Sequence, residues 1–166
     1  NNSSSINPTS AITISAFINI ASYTQNYANI IFKQNNYAGL YEQYSMLLVN
    51  TGIICSFTGV DRQQKFAISP IDYRNQKVYV VCTCDTDTNE LKLYINGVLI
   101  QTIAFTSTFD IANTPINIGG TGVLNFGATY RGWTNGQLNN IDIYDYALTP
   151  DQVNTNFQAL RTKYGI

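Results

Sequence analysis

Through most of this chain apolar and polar residues alternate one by one. In the segment from Ala11 to Ile20, Ile12, Ile14, Ala16, Ile18 and Ile20 fall on one side and Thr13, Ser15, Phe17 and Asn19 on the other. That period of two predicts a half-buried β-strand. Nine further stretches read as strands: Asn29 to Lys33, Tyr44 to Val49, Ile53 to Phe57, Lys65 to Ile68, Val78 to Asp85, Leu91 to Asn96, Val98 to Phe105, Ile116 to Gly119 and Gly136 to Tyr144. Clusters of Asn, Gly, Asp or Pro bound each of them, and so many short strands predict a two-sheet sandwich.

Two turns fix local register. Asn96-Gly97 lies between two apolar runs and predicts a two-residue hairpin, because both positions tolerate a positive φ. Upstream, residues 85–89 link the strand at Val78 to the one at Leu91, so residues 78–105 predict a three-stranded meander. Helical signals gather at the C-terminus. Thr149-Pro150-Asp151-Gln152 supplies a hydroxyl cap, a proline at the first helical position, an acid in the first turn and a glutamine that closes a capping box. The helix is therefore expected to start at Pro150 and to pack through Val153, Phe157 and Leu160, with Arg161 and Lys163 suited to its negative end.

Composition narrows the chemistry. With 166 residues and 45% hydrophobic content the chain fits one domain, and its 9 basic and 10 acidic residues leave a formal net charge of -1. That balance lacks the positive field a nucleic acid requires. No apolar run approaches the ~18 residues needed to cross a bilayer, so membrane insertion is not expected. The absence of histidine removes Ser-His-Asp and Cys-His catalysis and His-ligated zinc. Charged residues make up only 11%, and Asn and Thr carry the polar load instead, which fits either an exposed, protein-rich or glycan-rich setting or a low-GC coding bias that enriches Asn, Ile and Tyr. The three cysteines, Cys55, Cys82 and Cys84, form no metal motif and are expected as mostly buried free thiols, with a bridge from Cys55 to Cys82 or Cys84 left open. A start at Asn1 rather than methionine points to a processed product or a piece of a longer polypeptide.

The segments Cys82-Thr83-Cys84-Asp85, Leu91-Lys92-Leu93-Tyr94-Ile95-Asn96-Gly97-Val98, Ile116-Asn117-Ile118-Gly119, Gly136 to Tyr144 and Ala147 to Val153 carry a family likeness. Together they resemble the laminin-G-like jelly roll of the concanavalin A-like lectin/glucanase group, over residue 9 to about residue 160. The resemblance implies an all-β, two-sheet antiparallel jelly-roll sandwich with a short C-terminal α-helix. It divides the chain into a flexible segment 1–8 and a domain 9–166 whose helix covers 150–161. The tail from Asn156-Phe157 to Ile166 further resembles the ends of such modules in tailed-phage and other viral structural proteins. Relatives usually carry an additional strand ahead of the segment at Pro8. Without it a sheet edge is left open, and a neighbouring copy or a partner is expected to supply the strand. The glucanases of the group carry a Glu-x-Asp-x-x-Glu strand, whereas the two glutamates here, Glu42 and Glu90, lie in no such motif, so no enzyme activity is expected.

Four groups of residues invite chemistry. Asp142 and Asp145 are an odd step apart, which in a regular strand sets them on opposite faces and argues against a glycosidase pair. Asp85, Asp87 and Asn89 have the spacing that opens a calcium loop, but Glu90 stands where the turn needs glycine and Asn96 where a bidentate glutamate belongs, so a hairpin with Asx bonds explains the letters better. The resemblance still admits calcium held by loop acids and carbonyls. Tyr23, Tyr27, Tyr37, Tyr41 and Tyr44 lie in one stretch among Asn and Gln, placing flat rings beside amide donors and acceptors as sugar binding requires; half-buried sandwich aromatics or a protein contact surface explain them equally. Trp133 either joins that patch or caps the core. Tyr23, Tyr27, Tyr37, Tyr41 and Trp133 are thus the candidate ligand-binding residues. The expected job is non-catalytic: a recognition or structural module of a larger assembly, a virion capsid-decoration or fibre protein first and a bacterial surface adhesin second. Its expected partners are other copies or proteins of that assembly and a glycan, at a virion surface or outside the cell. A pure assembly protein exchanging strands between copies is the third reading.

Overall fold

The computed structural model describes residues 6–23, 27–35, 42–120 and 134–166, and there the alternation becomes a pair of stacked sheets. The strands are β1 (Ala11–Tyr23), β2 (Tyr27–Gln34), β3 (Glu42–Val49), β4 (Gly52–Thr58), β5 (Gln64–Ser69), β6 (Lys77–Asp85), β7 (Glu90–Ile95), β8 (Val98–Ala104), β9 (Ile116–Ile118) and β10 (Thr134–Tyr144), followed by helix α1 (Pro150–Tyr164). One sheet, called A, runs in the order β10-β1-β6-β7-β8, and the other, B, in the order β5-β4-β3-β2-β9. All pairings are antiparallel.

The core lies between the sheets. Ile12, Ile14, Ala16, Ile18 and Ile20 of β1 face the apolar residues of β2, β3 and β4, among them Ile30, Met46, Leu48, Ile53 and Phe57, and all of these are fully buried. Burying each large aliphatic side chain contributes about 1.5–3 kcal/mol, and a one-residue slip would turn the whole set outward, so the apolar pattern also fixes register. Cys55, Cys82 and Cys84 are free thiols within this core. The Asn96-Gly97 hairpin forms as its sequence predicts, with φ of 51° and 80° and Ile95 opposite Val98. Among the described residues no helix is long and apolar enough to cross a membrane.

The expectation of a half-buried β1 is corrected by its other face. Thr13, Ser15 and Phe17 are buried as well, because α1 and the segment ahead of it lie over sheet A. Phe17, Tyr79, Val81 and Tyr94 pack there against Leu148, Val153 and Phe157, forming a second core. Thr13 satisfies its hydroxyl by donating to the Tyr146 carbonyl at 2.8 Å and accepting from the Leu148 amide at 2.9 Å. The helix begins at Pro150 as expected, with the reciprocal bonds of a capping box between Thr149 and Gln152. It runs a turn beyond Arg161, to Tyr164, whose ring stacks on Phe17 with centroids 4.1 Å apart. Gly165 then ends it in the left-handed conformation, at a φ of 71°.

A lysine is buried near one end of sheet B. Lys33 directs its ammonium to the carbonyl oxygens of Ala112 and Thr114, at 2.6 and 2.7 Å, and to the Thr114 hydroxyl at 3.3 Å. Burial lowers its pKa from 10.5 to about 8. Between those values the unfolded chain binds the extra proton, so this group's share of stability improves as pH rises from about 8 to 10.5. Cys82, Cys84 and Tyr44 act in the opposite sense, since burial raises their pKa values and the unfolded chain ionises first. The quantity to measure is therefore a difference. Urea unfolding of the wild type and of Lys33→Met should show the wild type gaining on the variant across that interval, and a gap that does not move with pH would contradict this account.

Candidate functional site

Two tyrosines stand at one end of the sandwich, one from each sheet. Tyr23 closes β1 opposite Thr134 of β10, and Tyr27 opens β2 opposite Val49 of β3. Only residues 24–26 separate them in the chain; both residues are half-buried, and Tyr23 packs against the core between the sheets. The turn between β3 and β4 brings up Asn50, whose amide oxygen accepts a hydrogen bond from the Tyr23 hydroxyl at 2.6 Å. Beside them, Asn135 donates to the Ser22 hydroxyl at 3.1 Å.

The segment between β5 and β6 supplies the charges of this rim. It is tied to β1 by the Asn75 amide, which donates to the Ile20 carbonyl at 2.8 Å. Arg74 grips Asp72 with Nε at 3.0 and 2.9 Å from the two carboxylate oxygens and with Nη2 at 2.5 Å from one of them. Those bonds lower the Asp72 carboxyl to about 2, so it is ionised at any physiological pH. Burial raises the Tyr23 phenol, with Arg74 opposing, so its hydroxyl stays a neutral donor. This end of the sandwich thus gathers the Tyr23 hydroxyl, two amides, the Ser22 hydroxyl and a fixed ion pair, with Tyr27 opening the strand that follows. Asn50, Asp72, Arg74 and Asn135 all face solvent.

Tyr37, Tyr41 and Trp133 lie outside the described residues. Trp133 immediately precedes Thr134, the partner of Tyr23. Tyr37 and Tyr41 belong to the link between Gln34 and Glu42, which pair at the far end of β2. An eight-residue strand separates that end from Tyr27, a distance of roughly 23 Å at ~3.3 Å per residue. Tyr44 is not a surface ring. It is buried in the core, and its hydroxyl donates to the Ile6 carbonyl at 3.1 Å.

The acids flagged by their spacing are engaged otherwise. Asp85 Oδ1 accepts the backbone amides of Asp87 and Thr88 at 2.8 and 3.3 Å, which is the Asx geometry of a hairpin turn. Among the described residues no three His, Cys, Asp or Glu side chains gather as a metal site. Glu42, buried on the outer face of sheet B, accepts from Ser45 at 3.3 Å, from Ser56 at 2.9 Å and from the Gln64 amide. Asp142 sits opposite Ser15 in β10, and Asp145 lies beyond the end of that strand. Asn50, Asp72, Arg74 and Asn135 escape sequence reasoning because three separate segments bring them together. The Asp-x-Arg spacing at 72 and 74 is the signal that marks the ion pair.

A family model described as the concanavalin A-like lectin/glucanases superfamily, Laminin_G_3, matches residues 1–154. No curated protein matches the sequence. Among solved structures, the binding domain of botulinum neurotoxin serotype G superposes with a TM-score of 0.69 at 17% identity, over 97% of this chain and 40% of that one. The serotype D ligand binding domain in complex with N-acetylneuraminic acid gives 0.65 at 18% identity, over 91% of this chain and 37% of that one. The binding domain of botulinum neurotoxin DC in complex with rat synaptotagmin II gives 0.66 at 17% identity, over 91% and 36%. The chain spans well under half the length of each, and at these identities the likeness is one of fold. With two antiparallel five-stranded sheets and a family match over most of its length, the chain belongs to the concanavalin A-like lectin/glucanase superfamily, in its laminin-G-like branch.

Proposed function

We propose that this chain is a non-catalytic recognition module that binds a glycan at the Tyr23 and Tyr27 rim. One observation carries the reading: the half-buried Tyr23 and Tyr27 stand at the same end of the sandwich, where the Asn50 and Asn135 amides and the Arg74–Asp72 pair gather about the end of β1. A sugar presents a CH face that stacks on such rings and hydroxyls that pair with amides and carboxylates. Trp133, next in sequence to the partner of Tyr23, is proposed as a further ring of this site, and Tyr37 and Tyr41, in the link between β2 and β3, as ligand-binding residues apart from it; all three lie outside the described residues. The similar toxin domain solved with N-acetylneuraminic acid supports a glycan ligand, and the one solved with synaptotagmin II supports a protein ligand on the same fold. The non-catalytic reading is supported by Glu42 and Glu90, whose carboxylates are already taken up by Ser45, Ser56 and Gln64 and by Lys92. The setting proposed is the surface of a larger assembly, a virion capsid decoration or fibre, on the strength of the viral-type C-terminal segment from Asn156 to Ile166.

A second reading, contact with other copies in that assembly, is favoured by the edge of sheet A. Val98, Leu99 and Ile100 of the edge strand β8 are exposed, as are Phe66 and Ile68 of the edge strand β5. The two edges adjoin, since the Ile68 amide donates to Gln101 at 2.6 Å.

An arrayed-glycan screen should find a sugar class bound by the wild type. Tyr27→Ala and Trp133→Ala should each weaken that binding about tenfold, the equivalent of ~1.4 kcal/mol. No ligand with or without calcium, or binding indifferent to Tyr27→Ala, would contradict the proposal. For the assembly reading, light scattering should show an oligomer that Leu99→Lys dissolves, and a wild-type mass of 18.5 kDa at all concentrations would refute it.

A further inference from the structure

Two thiols from opposite sheets meet inside the main core. Cys55 stands in β4, opposite Met46 of β3 and Ala67 of β5, in the interior of sheet B. Cys82 stands in β6, opposite Ile14 of β1 and Leu93 of β7, in the interior of sheet A. Both side chains are fully buried and belong to the one cluster that fills the space between the sheets. Across that space the Cys55 side chain is the hydrogen-bond partner of the Cys82 thiol. The contact joins two strands that share no backbone hydrogen bond, since β4 and β6 lie in different layers.

Cys84 is placed otherwise. It stands two residues further along β6, opposite Ile12 and Leu91, and its thiol is engaged by the Asp85 backbone rather than by Cys55. Cys82 and Cys84 are poorly set to join each other. Two residues along a strand separate the Cα atoms by roughly 6.6 Å with the side chains parallel, at the far end of the ~4.4–6.8 Å that a disulfide spans. A metal does not account for the thiols either, because among the described residues no three His, Cys, Asp or Glu side chains gather. Each of the two facing thiols therefore has the other as its natural reaction partner.

Burial also decides when they can react. Neither residue has exposed surface, and desolvation holds the Cys82 thiol well above its ordinary range. Thiolate is the attacking form in disulfide exchange, and the oxidant has to reach it. Within the closed sandwich both conditions fail. They are met while the sheets are still apart, during folding or on global opening.

We infer that Cys55 and Cys82 are a redox pair that closes to a disulfide between the two sheets when the chain folds in the presence of a small disulfide such as glutathione disulfide. In the first step the Cys55 thiolate attacks one sulfur of the oxidant, forming a mixed disulfide and releasing one glutathione thiolate. The Cys82 thiolate then attacks the Cys55 sulfur, forming the protein disulfide and releasing the second glutathione. The two cysteine protons pass to the two released thiolates, so the protein loses two hydrogens and the oxidant is reduced to two thiols. Cys84 stays free. The bond ties positions about 27 residues apart and restricts the unfolded chain, which lowers the unfolding constant on the order of a hundredfold. It gives the module a more durable form outside a reducing compartment. The inference is independent of the glycan reading.

The test is refolding of the full chain from urea in a mixture of reduced and oxidised glutathione, followed by mass spectrometric peptide mapping without reduction. The expected product is two hydrogens lighter than the reduced chain, carries a peptide pair joined through Cys55 and Cys82, and leaves Cys84 open to alkylation. Its urea midpoint should lie above that of the reduced chain, a difference that Cys82→Ala abolishes and Cys84→Ala keeps. Glutathione disulfide added to the folded, reduced chain should form the same bond slowly, at a rate that climbs with urea. The mapping uses the wild type, so it decides the matter even if Cys82→Ala does not fold. Three free thiols after refolding, a bridge to Cys84 or between chains as the main product, or an oxidised form no more stable than the reduced one overturns the inference.

Discussion

The demand that both faces of β1 be buried at once holds this molecule together. Its isoleucines face sheet B, while Thr13, Ser15 and Phe17 lie beneath the helix and the residues that precede it. A strand covered on both sides cannot slip by one residue, since the apolar set and the Thr13 hydrogen bonds would exchange faces. From that fixed register the functional ends follow. Tyr23 is delivered to one rim, and at the other end the Ser10 carbonyl accepts both the amide and the hydroxyl of Thr86, anchoring the hairpin between β6 and β7.

The second feature is that six of the charged residues are engaged within the fold. Asp72 is spent on Arg74, Glu90 on Lys92, Glu42 on its ring of hydroxyls and an amide, and Lys33 on carbonyl oxygens inside the fold. In a chain with 11% charged residues this leaves recognition to rings, amides and hydroxyls. Such groups suit neutral, hydroxyl-rich surfaces and proteins better than polyanions.

Much of the fold was legible in the sequence because its information is local. A period of two reveals a strand wherever it occurs, Asn96-Gly97 names its own turn, and the letters from Thr149 to Gln152 write out the start of the helix. What was not legible is what distant segments do to one another. The second burial of β1 depends on Leu148, Val153 and Phe157, more than 120 residues away, so no window around Phe17 shows it. The same holds for the end of α1, expected at Arg161, which runs on to Tyr164 where that ring stacks on Phe17. Adjacency misleads in the other direction for the tyrosines. Tyr27 and the link bearing Tyr37 and Tyr41 are neighbours in sequence, but the length of β2 stands between them, while Asn50, Arg74 and Asn135 converge on Tyr23 from far along the chain.

Native-state hydrogen exchange tests the two-sided burial of β1 most directly, because it reports the free energy at which each amide opens. The account predicts that the amides of β1 and β6 exchange last and only through global unfolding, while those of β8 and β9 open earlier by local fluctuation. Should the β1 amides open as readily as those edge strands, or be released before the rest of sheet A, the strand is not the joint between two cores and the account fails.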